Sequence, residues 1–204
     1  MADYKKPDHW QLKARKEGYP ARSVYKLKEI DEKFGFFKKD GKTLRILDIG
    51  AAPGSWSLYV LRKLPSEGFL AAVDLSPLSR EFDKGLFDNS NFFFVQGDVT
   101  AQETGEALLA KGPYSIIISD AAPNTTGNHT VDSARSLNLA ETVVSFAEST
   151  LVSGGNLAVK IFQGSGTENL LKHLKTIFKS AKSFKPQACR GESVETYFIG
   201  LGKL

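Results

Sequence analysis

Cysteine is almost missing from this chain. Cys189 is the single cysteine in 204 residues, so no internal disulfide can form and a reducing compartment is expected. Histidine is scarce as well. Three scattered histidines and one cysteine do not make a His/Cys zinc site, and no metal is expected. No apolar run reaches the roughly 18 residues that a membrane-spanning helix needs. The N-terminal stretch MADYKKPDHWQLKARKEG is charged and has no apolar h-region, so it does not read as a secretory signal; the expected location is cytoplasmic. Internal repeats, low-complexity tracts and long linkers are also lacking.

What is present fits an ordinary globular chain: 41% hydrophobic and 25% charged. The length suits one domain, and a chain of this size buries about 70% of its unfolded surface. The net charge of +4 is unevenly spread. Residues 1–45 carry a balance of +6, residues 46–168 a balance of −7 and residues 169–204 a balance of +5. A basic run alone is most often a solvated face. Two basic ends framing an acidic middle suggest a polyanion partner.

The periodicity predicts short helices over 9–17 and 23–34. Val24, Leu27, Ile30 and Phe34 recur at helical spacing, with Ser23 as N-cap. Strands are expected at 44–49, 68–73, 92–96, 114–119 and 155–162, and helices near 54–64, 102–111, 131–150 and 167–180. A closing pair of strands is expected at 182–188 and 194–201. The stretch 75–91 is ambiguous. Repeated strand–helix alternation predicts an α/β fold: a mostly parallel sheet with helices on both faces and one antiparallel closing strand. Residues 1–43 read as a basic helical extension and 44–204 as the sheet core of one domain.

The stretch LRILDIGAAPGSW places Asp48 in an apolar strand and a loop of small residues after it. In a doubly wound sheet such a loop lies where ligands bind. Gly50 and Gly54 permit a tight turn and close approach of a ligand, and Pro53 suits the first turn of the following helix. A phosphate-binding loop needs Gly-Lys-Ser/Thr, but Gly54 is followed by Ser55-Trp56. A dinucleotide fingerprint needs G-x-G-x-x-G, but Ala52 and Ser55 occupy its later glycine positions. Both common diphosphate signatures are therefore missing. The next two strands end at Asp74 and Asp98. An acid after the second strand suits a pair of ribose hydroxyls, and a further acid suits an adenine amino group. Either acid alone reads equally as a turn residue. Together, these strand ends fit a nucleoside without a diphosphate, such as S-adenosylmethionine.

A second group of residues follows. Asp120 ends the fourth strand, and Lys160 lies inside an apolar strand next in order. An ammonium in that setting needs a partner, unless it faces solvent from a sheet edge. Glu195 lies in a closing strand, and Lys26 on an N-terminal helix. In order, YPARSVYKLKEID, DIGAAPGSWS, SDAAPNTTG, VKIFQG and SVETY closely resemble the FtsJ/RrmJ family of ribosomal RNA 2′-O-ribose methyltransferases. The resemblance runs from about residue 9 to the end. It implies a Rossmann-like S-adenosylmethionine-dependent methyltransferase fold with a seven-stranded sheet. It implies a catalytic tetrad at Lys26, Asp120, Lys160 and Glu195, and cofactor contacts at Gly54, Trp56, Asp74, Asp98 and Asp120. Asp48, Gly50 and Pro53 then shape the loop. Two departures stand out: Ser55, where many relatives carry a second glycine, and Cys189, where serine is common.

The implied reaction is attack of a ribose 2′-oxygen on a sulfonium methyl. Lys160 either receives the hydroxyl proton or orients the oxygen; Asp120 orients Lys160 and the cofactor, Lys26 places the substrate, and Glu195 gives a supporting polar contact. Basic candidates for RNA are Lys5, Lys6, Lys13, Arg15, Lys16 and Arg22 at one end. At the other end they are Lys172, Lys175, Lys179, Lys182, Lys185 and Arg190. Trp10 and Tyr19 are candidates for stacking on bases, Trp10 fitting better as a helix anchor. The expected partner is ribosomal RNA, within an assembling large subunit, with a uridine as target and the protein a monomer. A tRNA methyltransferase is the nearest rival. A nucleotide-dependent oxidoreductase lacks its fingerprint, and a non-catalytic RNA-binding protein has no need of the tetrad.

Overall fold

A computed structural model describes residues 8–38, 43–189 and 193–204. Two helices come first, α1 (His9–Lys16) and α2 (Val24–Phe34), followed by strand β1 (Arg45–Ile49), helix α3 (Ser55–Lys63) and strand β2 (Phe69–Asp74). Strand β3 (Phe92–Gln96), helix α4 (Gln102–Leu109), strand β4 (Tyr114–Ser119) and helix α5 (His129–Thr150) come next. Strand β5 (Leu151–Phe162), helix α6 (Thr167–Ile177), β6 (Phe178–Phe184) and β7 (Glu195–Lys203) complete the order.

The strands form one seven-stranded sheet in the order β3-β2-β1-β4-β5-β7-β6. Pairs from β3 through β5 are parallel, and β7 runs antiparallel to both β5 and β6. The chain winds outward one way from β1 and then the other way from β4. The gap beyond the ends of β1 and β4 is therefore the switch point where ligands bind in such sheets.

Both faces of the sheet are covered, and consecutive residues feed opposite cores. Ile46, Leu70, Ile116 and Ala158 pack towards α2 and α3. Leu47, Ala71, Ile117 and Val159 pack towards α5 and α6. Lys160 is two residues beyond Ala158 and so emerges on the α2 side, as does Asp48, two beyond Ile46. Among the described residues no helix is long and apolar enough to cross a membrane.

Element order follows the expectation, but several boundaries differ. Strand β5 begins at Leu151, directly from α5, not at 155. Strand β6 begins at Phe178, not 182. Phe178 has the spacing of an α6 core residue, yet its backbone is extended (φ −113°, ψ 147°) and its ring packs on Gly200 of β7. FKSAKSF carries no strong alternation, so pairing with β7 decides its state. The stretch 75–91 is mostly loop, with one short 3-10 turn at Leu86–Asp88. Pro53 is not in the first turn of α3: Gly54 is the N-cap, and Pro53 precedes it. Ser23 precedes α2 as expected but makes no side-chain cap bond; its carbonyl accepts from Trp56 Nε1 at 2.8 Å.

Candidate active site

The loop after β1 is stitched to the end of β2. Gly50 and Ala51 donate their N–H groups to the Val73 carbonyl at 2.9 and 3.1 Å. Gly50 has φ +77°, and a Cβ there would lie 2.5 Å from the backbone of Ala121. The β1 and β4 loops therefore meet where only glycine fits. Gly54 has φ +105°, and its Cβ would lie 2.9 Å from the Phe87 ring.

These loops open on a cavity of about 420 Å³. Its wall includes Gly50, Ala52 and Pro53 from the first loop, Asp74 and Asp98 from the next two, and Asp120 and Lys160 from β4 and β5. A larger recess of about 590 Å³ beside the start of α6 shares none of these residues. Asp74 is held by backbone: Oδ2 accepts from Ala52 N at 2.9 Å and Oδ1 from Ser76 N at 2.8 Å. Asp98 is exposed, and its Oδ1 accepts from the N–H and hydroxyl of Thr100 at 2.9 and 2.8 Å. Those two Thr100 bonds, backbone first, hold the Asp98 carboxyl below the usual range.

The other end of the cavity is a buried charge cluster. The Lys160 ammonium lies 3.0 Å from Asp120 Oδ1 and also donates to the Asp120 carbonyl. Lys26 is ion-paired with Glu195 and lies 3.9 Å from Asp120 Oδ1. The four side chains are between 9 and 14% exposed. Two cations and two anions make the cluster neutral overall, the condition under which buried charge is tolerated. Burial pushes Asp120 up, but Lys160, Lys26 and the Tyr197 hydroxyl outweigh it and hold the carboxyl down. Burial likewise opposes the charged form of Lys26, and Asp120 and Glu195 outweigh it and raise its pKa. Lys26 is therefore a fixed cation at neutral pH.

The tetrad is thus brought together from four elements. Asp120 and Lys160 come from neighbouring parallel strands, Glu195 from the antiparallel β7, and Lys26 from α2. A fifth member was not singled out from the sequence. Tyr197 pairs in register with Lys160, is fully buried, and donates its hydroxyl to Asp120 Oδ1 at 2.5 Å. Burial first, then the Asp120 and Glu195 charges, push its pKa far up, so it stays a donor. Alternation along SVETY is the signal that points Tyr197 to the face of Glu195.

Two expected cofactor contacts stand apart from the cavity wall. Gly54 packs against Phe87 and Leu78. The Trp56 ring is buried, with its N–H on Ser23 and its face 5.8 Å from the Tyr197 ring centroid. The side chain of Trp56 therefore supports α2 and Tyr197. Asp48 also lies beneath the wall. It is fully buried, accepts from the Ser57 hydroxyl at 2.6 Å, and has no partner for its second oxygen among the described residues. Burial pushes its carboxyl up to about 7, against the Ser57 bond. Ser55 does not face the cavity. Its hydroxyl accepts from Ala21 N at 2.8 Å and donates to Ala21 O at 3.1 Å, tying α3 to the extension that carries Lys26.

Of the basic candidates, Lys13, Arg15 and Lys16 are exposed on α1, with Arg15 paired to Glu81 at 2.6 Å. Lys182 and Lys185 are exposed beside β7, Lys185 donating to Ser193 O at 2.7 Å. Arg22 needs correction as an RNA contact. It is turned inward, pairing with Asp8 and donating to Ala188 O at 2.5 Å, because the turn at 188 packs over it. Tyr19 is corrected too: it is 6% exposed, its ring covered by Lys28 and Arg62. Trp10 packs on Tyr25 at 4.9 Å, as an anchor. Lys5, Lys6 and Arg190 lie outside the described residues.

The cavity suits a nucleoside cofactor. It has a close backbone approach at Gly50, carboxylate acceptors at one end, and a lysine–aspartate pair at the other. Comparisons agree. The family model for FtsJ-like methyltransferases matches residues 19–203. The chain is 50% identical over 198 residues to the ribosomal RNA large subunit methyltransferase E of Treponema denticola, covering 97% of this chain and 96% of that protein. It is 46% identical over 197 residues to the protein of the same name from Oleidesulfovibrio alaskensis, covering 96% and 91%. Among solved structures, a Plasmodium falciparum protein named as a ribosomal RNA methyltransferase superposes with TM-score 0.72 at 29% identity, over 91% of this chain and 99% of that one. Human methyltransferase-like protein 13 in complex with SAH shares the fold, at TM-score 0.54 and 16% identity, over 80% and 75%.

Proposed function

The chain belongs to the FtsJ-like methyltransferase family, and on that premise we propose that it methylates a ribose 2′-hydroxyl of large-subunit ribosomal RNA with S-adenosylmethionine. The observation that carries this reading is the convergence of Lys26, Asp120, Lys160 and Glu195 at one end of a cavity whose other end holds Asp74 and Asp98.

The bound cofactor supplies a methyl group already activated by a positive sulfur. Orientation is therefore the main task left to the protein. Asp74 would accept from ribose hydroxyls of the cofactor, its own position being fixed by Ala52 N and Ser76 N. Asp98 would hold the adenine end, and Asp120 the end nearest the chemistry. Gly54 and Trp56 act on the cofactor through backbone and packing. Lys160 holds the acceptor oxygen: its ammonium contacts the Asp120 carbonyl and carboxylate, one of its protons remains for the 2′-oxygen, and the hydroxyl proton is released to solvent. Lys26, fixed as a cation, attracts the adjacent phosphate and places the ribose. Glu195 keeps Lys26 in position. Lys13, Arg15, Lys16, Lys182 and Lys185 supply phosphate contacts, which give affinity and register but no sequence information. Helices α1 and α2 work as part of the catalytic domain, since Lys26 of α2 completes the tetrad. We assign a monomer acting in the cytoplasm on a uridine of an assembling large subunit.

The test uses purified protein and labelled cofactor with large ribosomal subunits, free large-subunit RNA and tRNA. Methyl transfer to a single ribose of the large-subunit RNA is expected, with none to a 2′-deoxy target. Transfer to a base atom, or to the deoxy target, overturns the 2′-O reading. Modification of tRNA alone keeps the chemistry and overturns the substrate.

A further inference from the structure

Helix α2 is gripped by the far end of the chain. Glu29 lies one turn beyond Lys26 on the same helix face. Its two carboxylate oxygens accept from successive backbone N–H groups, Oε2 from Gln187 at 2.6 Å and Oε1 from Ala188 at 2.8 Å. Arg22, just before α2, donates Nη2 to the Ala188 carbonyl at 2.5 Å, while its Nη1 pairs with Asp8. The turn closes on itself through Cys189 N and Pro186 O at 3.1 Å. Ala188 is 0% exposed and Cys189 7%.

The clamped helix carries a member of the tetrad. The Lys26 ammonium, one turn before Glu29 on this helix, is ion-paired with the Glu195 carboxylate. Burial first, then the Glu195 carboxylate, push the Cys189 thiol up to about 12, so it stays neutral. The contacts form a chain: the 186–189 turn to Glu29, Glu29 back along α2 to Lys26, and Lys26 to Glu195. Here each of two adjacent N–H groups has its own acceptor oxygen. A carboxylate offers both, and an amide offers one.

We propose that Glu29 and Arg22 are positioning residues for methyl transfer: they clamp residues 186–189 against α2, and the clamp holds that helix, and with it Lys26, where the ribose is placed. Neither touches the reacting atoms. The inference rests on the methyltransferase reading and replaces an RNA-contact role for Arg22.

Cys189, as the single cysteine, is a built-in reporter of the clamp. In the wild type its reaction with Ellman's reagent is expected to be at least about tenfold slower than that of a free thiol. Glu29→Gln should speed that reaction about tenfold and lower the single-turnover rate at least about tenfold. The KM for RNA and the cofactor Kd should stay within about twofold, and the melt should remain cooperative. Arg22→Ala should behave likewise, and Arg22→Lys, which keeps one donor for Ala188, should recover part of the rate. Free reactivity of Cys189 in the wild type overturns the clamp without any variant. So does a Glu29→Gln protein with wild-type rate, or one whose rate falls while Cys189 stays protected. A raised KM for RNA with unchanged rate constant makes these residues RNA contacts instead. If the wild type methylates no ribosomal RNA, the functional reading fails, while the thiol measurement still reports on the clamp.

Discussion

At the β2–β3 end of the cavity, Asp74 and Asp98 are anchored by backbone N–H groups within a few residues or one loop away, and Asp98 faces solvent. At the β4–β5 end, Asp120 lies among Lys160, Lys26 and Tyr197, contributed by three other elements. The same residue type thus serves two purposes. An aspartate set in a turn keeps lone pairs for an incoming ligand and is ready to bind. An aspartate buried among cations has one oxygen committed to the protein and sets where those cations stand. The first end should control affinity and the second the rate.

The largest expected effect is at the second end. Lys160→Ala should lower the single-turnover methylation rate about 10³-fold, within the range of a positioned proton-handling or orienting group. Calorimetry should find the cofactor affinity within about threefold of wild type. A Lys160→Ala protein with near-normal turnover would break the division of labour outright.

At the first end, Asp74→Ala should weaken cofactor binding by about 1–3 kcal/mol, the loss of a charged acceptor for paired hydroxyls. At saturating cofactor, the rate should return to within about threefold of wild type. A rate that stays low at saturation would mean that Asp74 shapes the transition state as well, and the contrast between the two ends would soften.

The smallest effect concerns the floor shared by both ends. Asp48 is fully buried and its carboxyl is pushed up to about 7, from an ordinary 3.8. The folded state therefore holds a proton that the unfolded state gives up near 3.8. Stability falls as pH rises from about 4 to about 7 and then levels off. Asp48→Asn removes that titration and can still accept from Ser57. The gain in melting temperature over wild type should be several degrees larger at pH 8 than at pH 5, since the roughly two pH units between 5 and the folded pKa are worth about 2–3 kcal/mol. Equal shifts at both pH values would show that Asp48 does not titrate in this window.

The difference between the ends also governs what could be read in advance. Strand ends at Asp74, Asp98 and Asp120 are legible because an apolar run followed by an acid is a local pattern. The tetrad is legible through five ordered motifs, since periodicity alone leaves Lys26 as a surface lysine and Lys160 open to an edge-strand reading. Arg22 shows the limit on the other side. By composition it belongs to a basic N-terminal region, and nothing within its neighbourhood in sequence announces Ala188. Ser55 likewise reads as a substitution in a cofactor loop and instead secures Ala21.

The sequence by itself determined the element order, the absence of diphosphate signatures and the residues able to carry the chemistry, because each of these depends on neighbours a few positions apart. Tertiary structure alone decided that Phe178 starts a strand, that Tyr197 reaches Asp120, that Trp56 turns its ring under Tyr197, and that Glu29 holds the 186–189 turn. In each case a buried group had to find a partner, and that partner was distant in sequence. Burial makes an unpaired donor, acceptor or charge too costly to leave, and the sheet order sets which residues are within reach.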